Sequence, residues 1–318
     1  MHALVLDRSL RYTANYPMPD IVPGEALIRV RLAGICNTDQ ELRTGYLDFK
    51  GILGHEFVGI VERSPGFEHW EGQRVVGDIN VACQRCPTCL RGMPSHCPNR
   101  TTLGIQGRDG AFASYLTLPV ANLYTVPDAI PDDAAVFTEP LAAACEILEQ
   151  IPIRPTHRVI VIGDGKLGLL CAQVLAATGC HLVALGHHEE KLAHLVNMGI
   201  QVALDPGEIP PGADVVVEAT GHPGGYLLAS ELVRPRGTVV LKSTYHGEIT
   251  VNLSRQVVNE ITLVGSRCGP FAPALRMLEQ GRVNVTPLIS ARYPLEQGVV
   301  AFDRAAQRGM LKILLDIA

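Results

Sequence analysis

The chain has 318 residues, 47% apolar and 19% charged, which excludes a disordered or low-complexity protein and supplies a sizeable core. At this length single cores stop growing, so two domains are expected. A net charge of −5 lacks the basic footprint of a nucleic-acid or anionic-membrane binder, and MHALVLDRSL lacks the pattern of a secretory leader. The expectation is a cytoplasmic protein with no nucleic-acid or membrane partner.

Residues 1 to about 143 hold short segments broken by Gly and Pro, such as ALIRVRLAG and EFVGIVERSPG, with few helical stripes. This stretch reads as mostly β. Within it, Gly34-Ile35-Cys36-Asn37-Thr38-Asp39 and Gly54-His55-Glu56-Phe57-Val58-Gly59 carry a thiol, an imidazole and a carboxylate on separate loops, and Thr138-Glu139-Pro140 adds a second carboxylate. Donors of these types suit an open zinc site with three protein ligands and a place for water or substrate. Each motif alone is weak.

Between them Cys83, Cys86, Cys89 and Cys97 follow a CxxCxxCx7C spacing on a stretch rich in Pro and Gly. Four thiolates on a folded-back loop make a closed tetrahedral zinc site that staples the loop and leaves no position for substrate. Cys145, Cys171 and Cys180 stand in apolar or small-residue surroundings and read as buried small hydrophobes.

From residue 157 the texture changes. RVIVIG reads as a strand, LGLLCAQVLAATG as a helix and HLVALG as a second strand; a helix over 189–198, strands near 202–204 and 214–218, a helix after His222 and a strand near 238–242 follow. Such alternation predicts a parallel doubly wound sheet. A helix over 295–307 and a last strand over 312–317 fall outside it and are expected to pack back on the first domain.

Gly163-Asp164-Gly165-Lys166-Leu167-Gly168 lies between the first strand and the first helix of that alternation. There the first Gly permits the turn, the second lets a pyrophosphate approach the backbone, and the third lets helix pack on strand. At the end of the second strand, where an NAD site carries Asp or Glu, the chain reads Leu185-Gly186-His187-His188. With no acid to repel a 2′-phosphate and two histidines able to contact it, NADP is favoured over NAD.

The GICNTD, GHEFVG, CxxCxxCx7C, TEPLA and GDGKLG motifs, in this order, resemble the zinc-dependent medium-chain alcohol and polyol dehydrogenases along essentially the whole chain. Glu139, where the common alcohol dehydrogenases have Cys, is similar to the sorbitol and glucose dehydrogenase branch. The resemblance implies an α/β protein: a mostly-β GroES-like catalytic domain over 1–143 with a structural zinc lobe at 83–97, a Rossmann dinucleotide domain over 144–284, and a return segment over 285–318. It also implies two zinc ions per chain, the catalytic one held among Cys36, His55, Glu56 and Glu139, and a dimer or tetramer. The reaction implied is hydride transfer between a small alcohol, polyol or sugar, or the matching carbonyl, and NAD(P).

Charge balance constrains that site. A thiolate and one carboxylate neutralise Zn²⁺, and a second bound carboxylate would weaken its Lewis acidity, so Glu56 and Glu139 should differ, one bound and one held nearby or exchanging. Asp39 is the expected acceptor for the His55 ring N–H. Thr38 holds the place of the family's proton-relay hydroxyl. Glu41 stands where many relatives carry a histidine that ends the relay, and either carries the proton or is a solvated surface carboxylate. Two other readings are a zinc-ribbon module binding nucleic acid or protein, which the charge and the dinucleotide loop oppose, and a zinc-independent quinone or enoyl reductase of the same fold, which Cys36, His55 and Glu139 oppose.

Overall fold

The computed structural model describes residues 1–244 and 248–317. The chain divides into two units, one made of Met1–Glu139, Ala274–Glu279 and Leu288–Ala318, the other of Pro140–Pro273 and Gln280–Pro287.

The first unit is organised by the strand Glu25–Ile35, whose apolar residues are buried on both faces. It lies inside a seven-stranded sheet, with Glu56–Arg63 antiparallel on one side and Lys312–Asp316 antiparallel on the other. In this register Gly34 faces Glu56 on one neighbour and Leu314 on the other. The strand Ile289–Pro294 adds in parallel beyond Lys312–Asp316. Where one helix is predicted over 295–307, a short 3-10 turn, Leu295–Gln297, precedes the helix Gly298–Ala305. A side chain at Gly298 would collide with Leu4, so the glycine lets the helix start press against the strand Ala3–Leu6.

The second unit is a six-stranded parallel sheet in the order Gln201–Ala203, His181–Leu185, Arg158–Ile162, Ala213–Glu218, Val233–Leu241, Thr262–Gly265. Numbered along the chain this is 3-2-1-4-5-6, the doubly wound order in which ligands bind at the carboxyl ends of the strands. The inner strands are near-continuous Val and Ile because both faces are covered. The strand predicted near 238–242 begins earlier, at Val233, and passes through Arg236 at φ 59°, a left-handed irregularity beside Pro235 that hides its start from a propensity reading. No helix among the described residues is long and apolar enough to cross a membrane.

Candidate active site

Cys36 follows the strand Glu25–Ile35 and caps the amino end of the helix Asn37–Arg43. Three residues on, the fully buried Asp39 accepts from the Cys36 backbone N–H at 2.8 Å and from the Gly54 N–H at 3.2 Å, tying two loops together. Gly54 has φ 98°, and a Cβ there would stand 2.6 Å from the Phe112 ring, so the loop closes only with glycine. The result is convergence: donor atoms of Cys36, His55 and Glu56 all lie within 4.8 Å of one another. Asp39 Oδ1 lies 3.3 Å from His55 Nδ1. Thr38 Oγ1 stands 3.9 Å from Cys36 Sγ. Glu41 is half-buried on the same helix.

Glu56 has a partner that sequence reasoning missed. Lys312, from the last strand, forms a buried ion pair with Glu56 Oε2, both side chains being 1% exposed. The two residues belong to strands on opposite sides of Gly34, and a Cβ at Gly34 would meet Glu56 Oε2 at 2.5 Å and Lys312 Cδ at 3.2 Å. The glycine leaves the gap through which the pair closes. The Lys312 ammonium also faces the Phe137 ring at 5.4 Å.

The cluster suits a cation. Glu56 Oε1 is buried without a hydrogen-bond partner among the described residues, and the buried His55 Nδ1 has only the 3.3 Å approach of Asp39 Oδ1. Burial pulls the His55 imidazole down, but Asp39 and Cys36 outweigh it and hold its pKa well above the ordinary 6.5. The pocket's field thus favours a positive charge at the imidazole, and thiolate, imidazole and carboxylate together are a zinc donor set. Glu139 stands outside the converging trio, at the first turn of the helix Thr138–Gln150. Burial, with Glu56 and Asp78 adding to it against His55 and Lys312, pushes its pKa up to about 7. Because protons must leave these groups for a metal to bind, zinc affinity measured by chelator competition should rise from pH 6 to pH 8. A flat profile would show that neither group yields a proton to the metal.

The second cluster is closed. Cys86 caps the turn Pro87–Leu90 and accepts from the Cys89 N–H, while Gln84 and Gly92 take left-handed conformations that fold the chain back. The sulfurs of Cys86 and Cys89 are 3.5 Å apart, those of Cys86 and Cys97 3.7 Å, and those of Cys97 and Cys83 3.5 Å. A tetrahedron with metal–sulfur bonds of about 2.3 Å has edges of about 3.8 Å, so the four thiols fit one zinc ion.

In the second unit Gly163, at φ 120°, turns the chain after Arg158–Ile162, and a Cβ there would stand 2.5 Å from Ala219 O. Gly165 caps the helix Lys166–Ala176 and has nothing within 4 Å of where a Cβ would be, which leaves an open cradle at the helix amino end. At Gly168 a side chain would collide with Gly163 O. Leu167 follows Lys166 in the first turn of that helix.

The strand end at Gly186 differs from the sequence expectation. It does not lack an acid: Asp164 reaches across from the phosphate loop, and its Oδ2 accepts from the His187 N–H at 2.7 Å, the His188 N–H at 2.8 Å and His188 Nδ1 at 2.9 Å. Burial would raise its pKa, but His188 and the two amides outweigh it and hold the carboxyl below its ordinary 3.8. The premise behind the NADP expectation, an end free of carboxylate, is therefore corrected.

Two family descriptions match the chain: alcohol dehydrogenase GroES-like domain over residues 22–128, and zinc-binding dehydrogenase over residues 167–280. Sorbitol dehydrogenase of Halalkalibacterium halodurans is 30% identical over 93% of this chain and 93% of its own. The chain belongs to the zinc-dependent medium-chain dehydrogenases. Among solved members of similar fold, a zinc-binding dehydrogenase of Sinorhizobium meliloti 1021 bound to NADP superposes with a TM-score of 0.91 at 26% identity, covering 99% of this chain and 98% of that one. An alcohol dehydrogenase of Escherichia coli CFT073 complexed with NADH gives a TM-score of 0.91 at 25% identity, covering 100% and 99%. This medium-chain dehydrogenase is an NAD(P)-dependent oxidoreductase acting on alcohols or polyols.

Proposed function

We propose that the mostly-β unit of this dehydrogenase holds the catalytic zinc among Cys36, His55 and Glu56, with Glu139 as the nearby exchanging carboxylate, and that the parallel-sheet unit takes the dinucleotide on Gly163–Gly168. The convergence of Cys36, His55 and Glu56 beside the Thr38 hydroxyl carries this reading. Zinc would supply Lewis acidity toward an alcohol or carbonyl oxygen, and the dinucleotide the hydride acceptor or donor. Thr38 accepts the proton of the reacting hydroxyl and passes it outward. Asp39 orients the His55 ring. Lys312 draws one oxygen of Glu56 to itself, which limits the negative charge offered to the metal.

A panel of polyols, sugars and small secondary alcohols, followed by nicotinamide absorbance with NAD⁺ and with NADP⁺, tests the reading. Turnover of none of them, with the dinucleotide bound, would oppose it. The sorbitol dehydrogenase relative supports polyols as the substrate class.

Two zinc ions per chain are proposed, the second on Cys83, Cys86, Cys89 and Cys97. Metal analysis should return a ratio near two, and a chelator should abolish activity while one equivalent remains, because the thiolate cage is closed and the catalytic site is open. Loss of both ions together with unfolding would contradict that division.

A cytoplasmic homo-oligomer, dimer or tetramer, is likewise proposed. Among the described residues Thr262–Gly265 pairs on one side only, and Val257 and Val258 beside it are 75% and 79% exposed. An unprotected edge flanked by valines is suited to pair with a second copy. Light scattering should show Val258→Asp shifting the protein to a smaller species; an unchanged mass would place the interface elsewhere.

A further inference from the structure

The end of the strand His181–Leu185 is where a doubly wound fold distinguishes the adenosine ribose of NAD from the 2′-phosphate of NADP. Two successive backbone N–H groups there, with a neighbouring imidazole, make a concavity that binds an anion. In this chain the concavity is already occupied, and its occupant is internal. Asp164 Oδ2 takes the N–H groups of His187 and His188 and the Nδ1 of His188, at 2.7 to 2.9 Å. Asp164 is only 9% exposed. Oδ1 takes no part in these three bonds.

Gly186 is part of the same arrangement. A Cβ at this position would stand 2.5 Å from Asp164 Cβ and 2.7 Å from Asp164 Oδ2. The residue that would ordinarily carry the ribose-binding acid is therefore a glycine because another acid has taken its space. The carboxylate comes from the second position of the phosphate loop instead of from the strand end.

We infer that Asp164 is the cofactor-selecting residue: its carboxylate plugs the anion nest that a 2′-phosphate would need, offers Oδ1 to the ribose hydroxyls, and makes NAD the preferred dinucleotide. A 2′-phosphate would have to displace a carboxylate held by three hydrogen bonds or lie against its charge, whereas a ribose hydroxyl can donate to it. This rests on the assignment of Gly163–Gly168 as the dinucleotide loop. It replaces the preference for NADP that Gly186 by itself suggests.

The test is direct binding of NADH and NADPH to the full-length protein, measured by calorimetry, with Asp164→Ala and Asp164→Asn beside the unmodified chain. The unmodified chain should bind NADH at least about tenfold more tightly than NADPH, a ratio set by one charge-assisted hydrogen bond gained or lost. Asp164→Ala empties the nest and should shift that ratio toward NADPH by about 10- to 100-fold; Asp164→Asn keeps an acceptor for the amides, loses the charge and should shift it less. Asn is close in size to Asp and reports the ratio even if the alanine variant folds poorly. Equal or tighter binding of NADPH by the unmodified chain would overturn the inference, as would a ratio unmoved in the variants, the result expected if Asp164 only staples the loop. Failure of the unmodified protein to bind either dinucleotide would instead overturn the dinucleotide-loop assignment.

Discussion

Replacing Thr38 by alanine lowers kcat by about 10²- to 10⁴-fold, the usual range of a positioned acid–base group, while the Kd for NADH stays where it was. The hydroxyl stands 3.9 Å from the Cys36 sulfur, at the proposed metal, and lies in the other unit from the Gly163–Gly168 loop. Thr38→Ser keeps the hydroxyl and should retain most of the turnover. Single-turnover kinetics together with a calorimetric NADH titration separate the two effects. If Thr38→Ala weakened NADH binding as much as it slowed the reaction, the residue would be a packing group with no part in proton transfer.

Lys312→Met should cost the metal-stripped protein about 3–5 kcal/mol of stability, because it leaves the Glu56 carboxylate buried without its counter-charge. The double variant Glu56→Gln, Lys312→Met removes both charges and should recover much of the loss. Zinc should recover part of it in the single variant, since the released carboxylate can turn to the metal. Urea unfolding with and without chelator measures all three. A single variant no less stable than the double would show that the pair contributes nothing beyond its packing.

Much of this was legible in the sequence, for reasons that particular residues make plain. Four cysteines within fifteen residues have one economical arrangement around a metal, and the structure brings their sulfurs to the spacing of a tetrahedron's edge. The strand-loop-helix context of Gly163–Gly168 makes the dinucleotide fold legible because Gly163 and Gly168 answer steric demands of the backbone while Gly165 leaves the helix amino end open. The convergence of Cys36 and His55 needed the resemblance to known dehydrogenases, since Asp39 joins their loops through backbone N–H groups that no spacing rule announces.

What escaped the sequence depends on contacts between distant positions. Lys312 sits 256 residues from Glu56, and only the pairing of both their strands with Glu25–Ile35 brings them together. A lysine opening the otherwise apolar KILL run was the available signal, for such a residue must find a partner. The reach of Asp164 to the strand end at Gly186 depends on side-chain direction across two βα turns, which is invisible to a linear reading. The edge strand Thr262–Gly265 has no buried residue, and its run of Leu263 and Val264 is too short to mark a strand by itself.

The discontinuity of the first unit bears on the order in which the protein can mature during synthesis. Every proposed zinc donor has been synthesised by residue 139, but the sheet that carries Glu56 gains its last two strands only after residue 288. The parallel-sheet unit lies between these points, so the first unit is not complete in sequence until the second has been made, a departure from simple amino-terminal-first progression. Until Lys312 joins the sheet, the proposed metal site keeps an uncompensated carboxylate at Glu56, so the catalytic unit can reach its final electrostatics only when the last strand is in place.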